Sequence, residues 1–176
     1  MIHRFFAIDE PGVDMMFVRD ADSRVHWKDR WAIREFLNTK GAKVHVIRDH
    51  PYHTAGIMGG LWGMRKIEGI NIEALYREHK KATPKEQRLG IDQDFLMDVL
   101  YPRISQMILV HSSQEWKYHR NEILTPFPFT YSYDIFCGRV EDVRYDESEP
   151  PKNALENKPV TRSIFNILPR KMVKLS

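Results

Sequence analysis

The chain has 176 residues, 42% of them hydrophobic and 29% charged, enough for one domain with its own core and too apolar for a disordered chain. Its one cysteine, Cys137, excludes an intrachain disulfide and a thiolate zinc cluster. A formal net charge of +3 gives no nucleic-acid footprint, and no run approaches the roughly 20 apolar residues of a bilayer span.

Met1-Ile2-His3-Arg4 leads into no long apolar run, so no signal peptide is expected and a reducing, cytoplasmic setting is. Ile2–Ile8 is a short apolar segment, helix or strand, and Asp9-Glu10-Pro11-Gly12 is a turn. Val13–Val18 reads as a strand that ends in Arg19-Asp20-Ala21-Asp22-Ser23-Arg24. From 26 to 39, Trp27, Trp31, Phe36 and Leu37 recur at helical spacing, with Gly41 as a stop. Val44–Ile47 is the next strand, ending at Arg48-Asp49-His50-Pro51, and strand–helix–strand in this order predicts a crossover with parallel pairing. Gly56, Gly59, Gly60 and Gly63 mark close backbone approach rather than a helix. Ile72–Lys81 predicts an amphipathic helix, and a polar stretch with Pro84 follows. Asp92–Leu100 predicts a helix capped by Asp92 and stopped by Pro102. Met107–Val110 is a short buried strand before His111. Pro126–Phe129 is extended. The expected organisation is one α/β unit over 1–142 with a mostly parallel sheet flanked by helices, a linker over 143–158, and a basic tail over 159–176 with an apolar patch at Ile164–Leu168.

Four polar clusters fall at expected strand ends or helix starts: Asp20/Asp22, Arg48 to His53, Asp92-Gln93-Asp94, and His111. Convergence of strand ends on one rim is the usual geometry of an α/β site. Asp-x-Asp at the end of a buried strand supplies oxygen ligands suited to Mg²⁺ or Mn²⁺, with a diphosphate completing the shell. Each cluster also has a structural alternative. Asp92 serves equally as a helix cap with Asp94 in the first turn, His50 and His53 as hydrogen-bonded loop histidines, and His111 as a packed core side chain.

In order along the chain, Val18-Arg19-Asp20-Ala21-Asp22-Ser23-Arg24, Ile47-Arg48-Asp49-His50-Pro51-Tyr52-His53, Ile57-Met58-Gly59-Gly60-Leu61-Trp62-Gly63 and Asp92-Gln93-Asp94-Phe95-Leu96 resemble a family of GT-A-type glycosyltransferases of bacteria and large viruses. The resemblance runs from about residue 1 to about residue 142 and implies a partial GT-A-like fold. Its members begin well upstream of the segment matching Met1, which leaves three readings open: a fragment of a longer protein, a second copy or partner chain that completes the sheet, or a degenerate relative kept for binding or structure.

The resemblance implies transfer of a sugar from a nucleotide-sugar donor to a glycan or protein hydroxyl, dependent on Mn²⁺ or Mg²⁺, in the cytoplasm (of the host, for a viral member). By that analogy Asp20, Asp22 and His111 hold the metal, and Asp92 and Asp94 face the transferred sugar as catalytic carboxylates. Arg19, Arg24, Arg48, Asp49, His50, Gly59 and Gly60 contact the donor. Two other classes remain open: a non-catalytic binding or assembly protein on this scaffold, and a metal-dependent phosphate-ester hydrolase using the same carboxylates.

Overall fold

The computed structural model describes residues 2–25, 27–83, 90–113, 121–128 and 136–140. The expected linker at 143–158, the basic tail at 159–176 and residues 84–89 of the polar stretch lie outside the described residues.

The chain opens with a 3₁₀ helix at Ile2–Asp9. Its buried residues, Ile2, Phe5 and Ile8, recur every three positions, which is one face of a helix with three residues per turn. An α-helix would fan the same three around its axis. Strand β1 (Met15–Arg19) follows, then helix α1 (Trp27–Asn38), strand β2 (Val44–Arg48) and strand β3 (Leu61–Arg65). Helix α2 (Ile72–Ala82) has its first free N–H groups satisfied by two side chains. Asn71 Oδ1 accepts from the Ala74 N–H at 2.7 Å, and the Asp9 carboxylate accepts from Ile72 (3.0 Å) and Glu73 (2.8 Å). Asp9 thereby ties the opening 3₁₀ helix to α2.

A continuous helical run follows from 91 to 107: α3 (Ile91–Asp94), a wider π-helical stretch (Phe95–Leu100), α4 (Tyr101–Ile104) and a 3₁₀ turn (Ser105–Met107). Two expectations are corrected here. Gly90, at φ +90°, takes the N-cap position, and Asp92 lies inside the first turn. The run also passes through Pro102. Proline has no N–H to give, and the turn before it is widened so that the Tyr101 N–H reaches back five residues to the Leu96 carbonyl. Strands β4 (Ile108–Ser112) and β5 (Ile123–Pro126) close the order.

The five strands form one mixed sheet in the order β1-β3-β2-β4-β5. β2 pairs parallel with β4, and β4 with β5. β3 runs antiparallel to both of its neighbours, β1 and β2. The expected mostly parallel sheet is therefore corrected: two ladders are parallel and two antiparallel. The crossover through α1 does return β2 in the direction of β1, but with one strand width between them, and β3 fills that gap from the opposite direction. β3 escaped the sequence reading because Gly60-Leu61-Trp62-Gly63 carries the glycine density of a loop. Gly63 is needed inside the strand, since a Cβ there would overlap the Phe17 ring and stand 2.7 Å from the Met16 carbonyl oxygen.

Strand alternation sends the two faces of the sheet into different cores. On one face Met16, Val18, Val46, Trp62, Met64 and Val110 pack with Phe5 and Ile8 of the 3₁₀ helix, Ile72 of α2, and Phe95, Leu100 and Ile104 of the helical run. On the other, Ile47, Leu61 and Leu109 pack under α1 with Ala32, Phe36, Phe127 and Cys137. The fold is thus helices on both sides of a central sheet. Among the described residues no helix is long and apolar enough to cross a membrane.

Candidate functional site

Asp20 is the first residue past β1, and its backbone carbonyl accepts from the Ser23 N–H at 3.1 Å, closing a turn that carries Asp22 outward to solvent. β3 runs the opposite way, so its start lies at the same rim as the end of β1, and Arg19 pairs with Leu61. That register lays the Asp20 carboxylate over the bare Cα of Gly60. A Cβ on Gly60 would overlap the carboxylate, so the glycine is a condition of this approach.

Three further groups meet there. Arg4, on the 3₁₀ helix, donates from Nη1 to Asp20 Oδ1 at 2.5 Å, and its Nη2 lies 3.7 Å from Asp92 Oδ2. Gln93 fastens the glycine segment to α3: its Oε1 accepts from the Gly59 N–H at 3.1 Å, and its Nε2 donates to the Ile57 carbonyl. Asp20 and Asp92, from two of the four polar clusters, and Gly59 and Gly60 of the glycine segment are therefore brought together. Arg4 and Gln93 join them without having been singled out. Gln93 was visible as the middle of an Asp-Gln-Asp triplet in which only the carboxylates attracted attention, whereas Arg4 sits in an apolar run with no local signal. Asp94, on the next position of α3, is half-buried, and Arg24 is exposed beyond the Asp22 turn.

The remaining expected residues lie elsewhere. Arg19 faces α1, where its Nε donates to Asp29 at 2.9 Å and its Nη1 to the Trp62 carbonyl at 3.2 Å. Arg48 makes a two-point pair with Glu122 (2.8 and 2.7 Å) and donates to the Gly56 carbonyl. Asp49 is fully buried and accepts from Lys28 Nζ (2.6 Å), the Ser113 hydroxyl and the Cys137 N–H (2.9 Å). These charges are committed to internal partners. His50 accepts from the Tyr52 N–H through Nδ1 and packs at a tilt against Phe136, ring centroids 4.3 Å apart, with the Tyr52 ring exposed beside it.

His111 is not brought to Asp20. It lies on the α1 side of the sheet, sealed by Trp31 and Phe127, with its Nδ1 2.9 Å from Nε2 of the buried His45. Burial pushes His111 down to about 3. His45 is also held well below its ordinary value, by burial first and then by His111 and Arg19. Both are neutral near pH 7, with one proton shared along the ring-to-ring hydrogen bond. The structural alternative describes His111, and the metal-ligand expectation for it is not supported by this geometry.

Mn²⁺ and Mg²⁺ take carboxylate oxygens, and Asp20 and Asp22 offer these from one turn. Among the described residues no group of three or more His, Cys, Asp or Glu side chains converges as a metal cage. In this structure Asp20 is ion-paired with Arg4 and Asp22 is exposed. Comparison of the chain with protein-family models, with curated proteins and with solved structures gives no match.

Proposed function

We propose that the chain carries the metal site of a GT-A-type glycosyltransferase, which moves a sugar from a nucleotide-sugar donor to a glycan or protein hydroxyl. One observation carries the reading. Asp20, Gly59-Gly60 and Asp92-Gln93, from three separate motifs of the resemblance, sit at one rim of a central sheet, joined through Arg4. Open α/β sheets bind ligands at such a rim.

Asp20 and Asp22 would hold a divalent ion together with donor oxygens; when bound, that ion supplies charge neutralisation for the departing nucleoside diphosphate. The chain's own residues do the rest. Bare glycine at 60 admits the Asp20 carboxylate against the backbone, and bare glycine at 59 leaves room for the Arg4 guanidinium. Gln93, held at both ends of its amide by the backbone of 57 and 59, fixes the distance between that segment and α3. Asp92 and Asp94 are the carboxylates that, by the resemblance, would stabilise positive charge at the anomeric carbon or accept the proton of the attacking hydroxyl.

Calorimetry with Mn²⁺ and uridine, guanosine and cytidine diphosphates tests this. One of the three should bind with Mn²⁺ present, and Asp22→Ala should abolish the signal. No heat with any nucleotide, in a folded sample, would favour the second reading, a binding or assembly protein on the same scaffold. That reading draws support from the burial of Arg19, Arg48 and Asp49 in internal ion pairs, which leaves those three charges without a ligand to serve.

A further inference from the structure

Arg4 touches carboxylates from two different elements. Its Nη1 is 2.5 Å from Asp20 and its Nη2 is 3.7 Å from Asp92. Nη2 also lies over the bare face of Gly59, where an added Cβ would be 3.1 Å away. The arginine is held in place from behind. Its neighbour Phe5 is fully buried, and the guanidinium lies over the Phe5 ring, 5.3 Å from the centroid. Among the described residues Arg4 Nε makes no hydrogen bond, and the guanidinium meets its carboxylates through Nη1 and Nη2. One fixed positive charge therefore occupies the carboxylate that a divalent ion needs first.

We propose that Arg4 is the resident cation of this rim and competes with a divalent metal for Asp20. Without metal, the guanidinium holds Asp20 against Gly60 and tethers Asp92 from across the site. Metal loading requires Arg4 to leave Asp20, and the released guanidinium then suits the phosphate oxygens that arrive with the ion. Metal alone should therefore bind poorly, because it must displace Arg4 with nothing to receive it. The proposal rests on the glycosyltransferase reading for the metal at Asp20.

The test titrates Mn²⁺ alone, with no nucleotide, into the full chain and follows loss of the free-ion electron paramagnetic resonance signal. The Asp20 side chain is 49% exposed, so solvent screens the pair and the effect is moderate. Arg4→Gln should bind Mn²⁺ about three- to fivefold more tightly than wild type, and Arg4→Lys should stay within about twofold of wild type. Arg4→Met, which keeps an apolar stem over Phe5, should repeat the gain. Adding Asp20→Asn to Arg4→Gln should remove it. Equal affinity of wild type and both neutral variants, no binding by either neutral variant, or a gain that survives Asp20→Asn would each overturn the proposal. Circular dichroism and urea midpoints establish that the variants are folded. The two readings fail separately: a tighter Mn²⁺ site with no nucleotide binding overturns the transferase alone, and Mn²⁺-dependent nucleotide binding with no effect of Arg4 overturns the competition alone.

Discussion

Two glycines three residues apart answer to different constraints. A Cβ at Gly60 would meet the Asp20 carboxylate, the end of a half-exposed side chain that can move aside at the expense of its pair with Arg4. Gly60→Ala should cost about 1 kcal/mol or less of stability, while it displaces Asp20 from Arg4. A Cβ at Gly63 would meet the Phe17 ring and the Met16 carbonyl oxygen, both fixed in the middle of the sheet. Gly63→Ala should cost about 2–3 kcal/mol or more, as overpacking of a rigid core does. Urea unfolding of the two variants checks this, and equal losses would contradict it. The glycine density of 56–63 was readable as close backbone approach. Which glycine receives which group was not, because Phe17 and Asp20 lie some forty residues upstream in the chain. His111 shows the same limit: a histidine after an apolar strand looks alike as ligand or as core, and only the buried His45 beside it decides.

Between β2 and β4 the His45–His111 pair makes the sheet acid-sensitive. Both groups have folded-state values below the ordinary 6.5 of an unfolded chain. Between the two values the unfolded state binds more protons, so stability is present at neutral pH and falls as pH drops from about 6.5 towards 3. The slope is about 1 kcal/mol per pH unit for His111 over that window, and His45 acts in the same direction. A His45→Leu/His111→Leu double variant should show a flatter curve of urea midpoint against pH than wild type, and parallel curves would remove the pair from the acid response. The elements themselves were unequally legible. Helices α1 and α2 and strands β1, β2 and β4 followed from apolar period and flanking polar residues. The opening segment was left as helix or strand because a three-residue period matches neither template. β3 was hidden by Gly63, and the helical run by the expectation that Pro102 ends a helix, which the π-helical turn circumvents.

Across the whole molecule, distant segments are stapled by buried charge. Arg48 at the end of β2, Glu122 next to β5 and Tyr101 in α4 form one network, with the Tyr101 hydroxyl donating to Glu122 at 2.8 Å. Burial and then Glu122 hold that hydroxyl protonated well above its ordinary value. Glu122→Ala would leave Arg48 buried without its carboxylate and should cost about 3–5 kcal/mol in urea unfolding; a loss below about 1 kcal/mol would mean that solvent already reaches the pair. In the sequence Arg48 looked like a donor-binding group, because its partner stands 74 positions away. The position of β3 has a kinetic side as well. β1 and β2 come first in the chain but share no ladder, and each waits for β3, with Met15 opposite Arg65. A nascent chain that has made β1, α1 and β2 still has two facing strand edges and nothing to bridge them. Closing that gap is a long-range step, the kind that slows folding. Until it happens, the open edges are templates for a neighbouring molecule's strand. The arrival of Leu61–Arg65 is therefore the event that commits this half of the sheet to its own chain.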